Sequence, residues 1–301
     1  MNHLIDIKSL SKLEIEQLFD QAIQFKHAKT SETKKLHGGR SAMALFFENS
    51  TRTLTSFQLA CQRLGMDVTA LNIAHSSTQK GESIKDTVLT LNAMMPDLFI
   101  VRHQQNHMQQ DMAEWLNDST SIINAGDGTN QHPTQGLLDL FTIQQHKKSF
   151  EQLKVCIIGD IKHSRVANSL IDGLNIMQTG EISLFAPDAL IPSDKSHLTA
   201  ATINQAIEAA DVVVMLRIQK ERFTATDLVS FDDWHQHFGL NQERLQMAKK
   251  DAIVMHPGPM NRGIEITSSV ADGNQSVILQ QVNNGVLMRQ ALIHQLLQSR
   301  Q

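Results

Sequence analysis

Only two of the 301 residues are cysteine, Cys61 and Cys156, and each lies inside an apolar segment far from the other. That pattern suits buried, reduced thiols and argues against a disulfide framework or a thiolate metal site. Positive charge is not in excess: 27 lysines and arginines face 31 aspartates and glutamates, a formal net charge of −4. Such a balance argues against nucleic acid as the main partner, although it leaves room for a local basic pocket. No apolar run approaches the ~20 residues that span a bilayer, so no membrane partner is expected. The opening MNHLIDIKSL has no basic stretch followed by an apolar one. No signal peptide is read there, and a cytoplasmic protein is expected. Cofactor motifs are missing too. IIGDIKHSR carries one glycine after its apolar run and lacks G-x-G-x-x-G, which disfavours dinucleotide binding. There is no G-x-x-x-x-G-K-[ST], no G-x-S-x-G and no paired Cys–His set. His103 and His107 share the i, i+4 spacing of a helix face, but no third ligand accompanies them, so a solvated helix face is expected. Neither a metal, a cofactor nor a covalent nucleophile is implied.

What is present is alternation. Short apolar, β-branched runs (SAMALFF, DVTALNI, DLFIVRH, SIINAG, then KVCIIGD, EISLFAP, DVVVML, DAIVMHP) are separated by segments of helical period. The helical segments include Thr55–Leu64, Ser83–Met95, Thr134–Gln145, Ser164–Asn175 and Ala200–Ala210. In the first of these, Phe57, Ala60, Cys61 and Leu64 recur on one face. Strand–helix alternation reads as an α/β protein with parallel sheets covered on both faces. Four strands per half predict two doubly wound domains, 1–146 and 147–301, divided at the polar HKKSFEQL. A last helix, about 285–297, is expected to pack back on the first domain.

The polar oddities all follow strands, where open parallel sheets bind ligands, so an active-site cleft between the domains is expected. ENSTRTLTSFQ follows AMALFF and sets five hydroxyls around Arg52 at a helix start. If Ser50 caps that helix, backbone N–H groups and the helix dipole favour an anion, and Thr51, Thr53 and Arg52 close a phosphate cage. Taken alone, an ordinary N-cap explains the stretch equally well. GDGTNQHPTQ supplies a tight turn, with Pro133 suited to a first helical turn. It would hold His132 and Gln135 at a strand end, where a histidine can donate to a developing oxyanion. Arg102, Arg165 and Arg217 also end strands. With Arg52 they make four guanidiniums, a set suited to substrates with several negative charges. Lys80 in QKGE adds a cation from a loop, or is simply solvated. HPGP, His256 to Pro259, is a rigid turn that either presents carbonyls to an N–H donor or is merely stiff, and its X–Pro bonds are candidates for cis geometry.

Together FFENSTRT, SSTQKGES, VRH, NAGDGTNQHPTQGLLDLFTI, GDIKHSRVANSL, RIQKER and HPGPMNRGIEI resemble the aspartate/ornithine carbamoyltransferase superfamily, and within it the aspartate carbamoyltransferase catalytic chains. The resemblance runs from the first strand to the C-terminal helix. It implies transfer of a carbamoyl group from carbamoyl phosphate to L-aspartate, in pyrimidine biosynthesis. By resemblance, Ser50, Thr51, Arg52 and Thr53 bind the phosphate, and Arg102, His132 and Thr53 surround the carbamoyl oxygen. Gln135 and the carbonyls near Gly258 and Pro259 hold the carbamoyl NH₂. Arg165 and Arg217, with Gln219, clamp the two aspartate carboxylates. Lys80, with Ser76 or Ser77, matches a loop that reaches a neighbouring subunit's site, which implies a homotrimer with shared active sites. Regulatory chains or a dihydroorotase-like partner are left open. One departure is Leu54, where the family usually carries a second arginine after S-T-R-T. It is read as joining the apolar stripe of its helix. An ornithine-specific enzyme usually carries HCLP and S-M-G motifs. This chain has HPGP and Arg217 in those places, which favours a dicarboxylate acceptor. A non-catalytic scaffold homologue should have lost charged site residues, and these are intact.

Overall fold

A computed structural model describes residues 2–73, 82–116, 120–219 and 233–298. The chain divides into two compact units, Met1–Leu138 with Asn283–Gln301, and Asp139–Val282. In the first, strands β1 (Ser41–Phe46), β2 (Asp67–Asn72), β3 (Leu98–His103) and β4 (Ser121–Asp127) form a parallel sheet in the order β2-β1-β3-β4. Its helices are α1 (Lys12–His27), α2 (Thr30–Thr33), α3 (Thr51–Leu64), α4 (Ile84–Asn92), α5 (Met108–Trp115) and the start of α6 (Pro133–His146). In the second unit β5 (Lys154–Ile158), β6 (Glu181–Phe185), β7 (Val212–Met215) and β8 (Ile253–Met255) repeat the plan as β6-β5-β7-β8. Its helices are α7 (Arg165–Ile176), α8 (Ile203–Ile207), α9 (Trp234–Phe238), α10 (Gln242–Leu245) and α11 (Ser268–Ala271). The last helix, α12 (Ile278–Gln298), starts in the second unit and runs from Asn283 onward in the first. Both sheets are thus wound in two directions from their first strand, as the alternation predicts. All eight expected strands are found, within a few residues at each end.

Burial explains the composition of these strands. β4, β7 and β8 are buried at every residue, and β5 at all but its first. Helices cover both faces of a parallel sheet, so these strands, the edge strands β4 and β8 included, are buried throughout rather than alternately. On one face of the first sheet Leu45, Phe99, Val101 and Ile122 pack with Val88, Met108 and Met112 of α4 and α5. In the second unit Cys156, Ile158, Val213, Met215 and Val254 pack with Ile203, Ala206 and Ile207 of α8 and with Val270 of α11. The predicted stripe of α3 holds: Phe57, Ala60, Cys61 and Leu64 are all fully buried. Burying a side chain such as Phe57 or Leu64 contributes about 1.5–3 kcal/mol. Both cysteines are free and buried, and burial pushes the Cys61 thiol up to about 12 and raises Cys156 as well. They are inert, as their apolar settings suggest.

Within the first unit α12 is held by two of its side chains. His294 Nδ1 lies 2.9 Å from Nε2 of the buried His37, and the His294 ring meets Phe25 edge-on. Arg289 lies over the face of Phe57, 4.9 Å from the ring centre, with an amino group 3.4 Å from Thr134 Oγ1. The helix-face reading of His103 and His107 is not met. His103 closes β3, buried beside Phe47, whereas His107 is the left-handed N-cap of α5. An i, i+4 spacing has no facial meaning across a strand–helix junction.

Candidate active site

In an open parallel sheet the crevice opens where strand order reverses, outside the carboxyl ends. In the first sheet that point lies between β1 and β3. The chain leaves β1 into α3 through Glu48, Asn49 and Ser50. Ser50 occupies the N-cap position of α3 but makes no side-chain cap bond. The capping half of the expectation therefore fails, as it does at the short helices α9 and α11, where Asp233 and Thr267 make no side-chain cap bond either. Ser11, Ser83, Ser164, Thr202 and Asn241 each accept a first-turn N–H at their own helices. At α3 no side-chain cap occupies those groups, which are what an anion would bind. Arg52 is exposed in that first turn and Thr53 is buried beside it. A cation at a helix N-terminus opposes the helix dipole, so this turn concentrates positive potential.

Arg102 sits where β3 loses register. It pairs with Phe46 of β1, but the pairing of β3 with β4 breaks between Val101 and His103. Such irregularities re-aim a side chain at a strand end. Buried Gln109 of α5 reaches into the break and donates to the carbonyls of Val101 (3.0 Å) and Gly126 (3.3 Å). The Arg102 guanidinium donates to Ala125 O at 3.2 Å, and its Nε lies 2.8 Å from Glu48 Oε1. Glu48 thus neutralises Arg102 here. Beside them His103 Nδ1 accepts from Gln105 N at 2.9 Å, and burial holds that imidazole below the usual histidine range.

Beyond β4 the loop Gly128–Gln131 leads to His132 and α6. Pro133 takes the first helical position, as expected. The His132 carbonyl accepts from Gln135 N at 2.8 Å and Gly136 N at 3.1 Å, and the residue is buried. Gln135 lies half-buried in the first turn. Thr53 and His132 therefore come after β1 and β4, and Arg102 is the next-to-last residue of β3; the three strands are consecutive in a parallel sheet and end on one edge.

The second unit repeats this with different chemistry. Its reversal lies between β5 and β7. Asp160, fully buried, follows β5, and its Oδ1 meets His163 Nδ1 at 2.9 Å. Its other oxygen accepts from Gln219 N at 3.3 Å, and Gln219 Nε2 donates to His163 O at 2.9 Å. Asp160 thereby ties the ends of β5 and β7 together. Arg165, buried, opens α7, and Arg217 is half-buried after β7. After β8, His256 Nδ1 accepts from Gly258 N at 2.8 Å, His256 N donates to Gln281 Oε1 at 2.9 Å, and the Gly258–Pro259 bond is cis. Lys80, Ser76 and Ser77 lie outside the described residues. Among the described residues no group of three or more acidic, histidine or cysteine side chains is placed to hold a metal ion.

The acidic residues were missed by sequence reasoning, which gave no role to Glu48, Asp127 or Asp160. A signal existed in the repeated Gly-Asp that ends β4 and β5. Gly126 and Gly159 have φ of 120° and 128°, which L side chains rarely adopt. A Cβ on Gly159 would also stand 2.7 Å from Leu216 O. At both strand ends the glycine turns the chain and a buried carboxylate gathers donors.

Residues 2–145 match the carbamoyl-P binding domain of aspartate/ornithine carbamoyltransferases, and residues 151–296 match their Asp/Orn binding domain. The chain belongs to the aspartate/ornithine carbamoyltransferase family. Among its relatives, the aspartate carbamoyltransferase catalytic subunit of Legionella pneumophila strain Lens is 48% identical over 99% of this chain and 100% of that one. The strain Paris protein of the same name is 47% identical over the same shares. An aspartate transcarbamoylase from Trypanosoma cruzi, solved with carbamoyl aspartate and phosphate, superimposes with a TM-score of 0.87 at 29% identity, covering 97% of this chain and 95% of that one. An ornithine carbamoyltransferase from Thermus thermophilus reaches a TM-score of 0.86 at 21% identity, over 99% of both chains, and shares the carbamoyltransferase fold. Fold alone therefore does not separate the two acceptors. Acceptor choice has to be read from side chains.

Proposed function

We propose that this chain is an aspartate carbamoyltransferase catalytic chain, making N-carbamoyl-L-aspartate and phosphate from carbamoyl phosphate and L-aspartate for pyrimidine biosynthesis. The observation that carries the reading is the placement of Thr53, Arg102 and His132 at the carboxyl ends of three neighbouring strands, beside the side-chain-uncapped start of α3. Residues 1–146 bind carbamoyl phosphate. The first turn of α3 with Arg52 takes the phosphate, and Gln135, with the carbonyls near Gly258 and Pro259, takes the carbamoyl NH₂. Residues 147–301 bind aspartate, with Arg165 and Arg217 each paired to one carboxylate.

The aspartate amine attacks the carbamoyl carbon, a C–N bond forms, and the carbonyl electrons move to oxygen. Thr53, Arg102 and His132 donate to that oxyanion. The C–O bond to phosphate then breaks, the electron pair leaves with the phosphate, and the amine proton passes to it. Both stages gain from fixed donors and cations, so no protein nucleophile is required. When substrate arrives, Arg102 must exchange Glu48 for the carbamoyl oxygen. We further place Lys80 in a neighbouring subunit's site, within a homotrimer, on the strength of the SSTQKGES segment.

Colorimetric detection of carbamoylated product with both acceptors tests this reading. Carbamoyl-aspartate should form and citrulline should not. Citrulline formation from ornithine alone would overturn it.

A further inference from the structure

Asp127 does more than end a strand. Its carboxylate is almost fully buried and collects four donors. Oδ2 accepts from His107 N and from Asn130 Nδ2, both at 2.8 Å. Oδ1 accepts from Gln131 N at 2.9 Å and Asn124 Nδ2 at 3.0 Å. The backbone closes the same loop from the other side, with Asp127 N donating to Gln131 O at 3.0 Å. Residue 131, immediately before His132, is therefore held to residue 127 in both directions. The loop is tied to β3 as well, because Gly128 N donates to His103 O at 2.9 Å. Asn124 extends the network outward, with Oδ1 accepting from Gly126 N at 2.7 Å and Nδ2 donating to Ile5 O at 2.8 Å.

We infer that Asp127 is a positioning residue for the carbamoyl-transfer site, whose fully bonded carboxylate fixes the Gly128–Gln131 loop and so sets where the His132 imidazole stands relative to Arg102. The reasoning is chemical. A group that donates to a developing oxyanion must be held within a fraction of an ångström, and loops do not achieve this without anchors. A carboxylate is acceptor-only, so both of its oxygens can serve two donors each. Asparagine has the same shape but only one oxygen. Whichever way its amide turns, an NH₂ faces two groups that are themselves donors. The inference rests on the functional reading above only for its kinetic arm.

Asp127→Asn should lower kcat about 100-fold, the scale of an ångström-sized misplacement. KM for both substrates should stay within about threefold, because His132 would act in the transition state. The decisive measurement is a double-mutant cycle. In a His132→Ala background the Asp127→Asn change should cost less than about threefold further, since residues acting through one another are not additive. Asn130→Ala removes a single donor and serves where Asp127→Asn fails to fold. It should lose about 5–10-fold in kcat with the same non-additivity, consistent with a neutral partner of a charged group. Losses that multiply in the double variant, or unchanged kcat in both single variants, would overturn the inference. Histidine-ring NMR separates this inference from the functional reading. The His132 resonance, assigned by its loss in His132→Ala, should be single in the natural chain and broadened or split in either loop variant. An unaltered resonance would overturn the positioning role, whereas absence of carbamoyl-aspartate formation by the natural chain would overturn only the activity assigned to it.

Discussion

The two sheets share one winding, yet the helices that leave their first strands begin in different ways. At α3 the N-cap serine makes no side-chain bond to the first turn. At α7 Ser164 Oγ accepts from Ala167 N at 3.1 Å, and a buried arginine follows at once. An uncapped first turn offers several converging N–H groups, which suits the tetrahedral oxygens of a phosphate. A capped turn with a guanidinium offers a planar fork, which suits a carboxylate. One topology thus carries two kinds of helix start, and on the proposed reading the uncapped one takes the phosphate and the capped one a carboxylate.

The comparison can be broken at several points. The largest effect is expected from Arg52→Ala, which should reduce kcat about 10³-fold, the loss seen when a group stabilising transition-state charge is deleted. Its melting temperature should stay near that of the natural chain. Near-normal turnover would remove the phosphate cage from the first unit. Arg217→Ala should raise KM for aspartate about 30-fold, matching roughly 2 kcal/mol for a charged hydrogen bond. Calorimetric binding of carbamoyl phosphate should be unaffected, and a loss there would erase the division of labour between the units. The serines give the finest test. Ser164→Ala should destabilise the protein by about 1 kcal/mol in urea unfolding, the usual worth of a bonded N-cap. Ser50→Ala should leave stability unchanged and weaken phosphate binding instead. Equal destabilisation by both would show that the two helix starts are equivalent after all.

A further contrast is acid sensitivity. Burial and the neighbouring His294 hold His37 down at about 4, and burial lowers His294 as well. The unfolded chain, with ordinary histidines, binds more protons than the folded one between pH 6.5 and about 4. The stability contributed by the pair is therefore complete above pH 6.5 and lost as pH falls towards 4. Stability measured against pH should fall over that window. Replacing both histidines by glutamine should flatten the slope, and an unchanged slope would remove the pair as its source.

Much of this was readable in advance, for physical reasons. Buried parallel strands are short and apolar, so all eight stood out. The stripe Phe57, Ala60, Cys61 and Leu64 marked the inner face of α3, because a helix packed on a sheet repeats every three to four residues. Residues of unusual chemistry gathered after strands because that is where a wound sheet opens. Other features were hidden. Helices α1 and α5 were not singled out, the latter because its polar Gln109 is buried to repair a broken ladder rather than exposed. Whether Ser50 would cap could not be read from its letter, since Ser50 and Ser164 look alike in sequence and differ only in bonding. The buried carboxylates Asp127 and Asp160 were passed over, because a single aspartate after glycine reads as an ordinary turn, and only its repetition at two strand ends marks it.

By itself, then, the order of residues determined the two parallel sheets and the arginines, histidines and hydroxyls that fall at their strand ends. Those properties follow from local period, burial and residue type. The folded chain alone decided which serine keeps its hydroxyl from the helix, where β3 slips to re-aim Arg102, and which carboxylate holds the loop before His132. Each of these depends on partners distant in sequence, and hydrogen-bond geometry exists only once those partners have met.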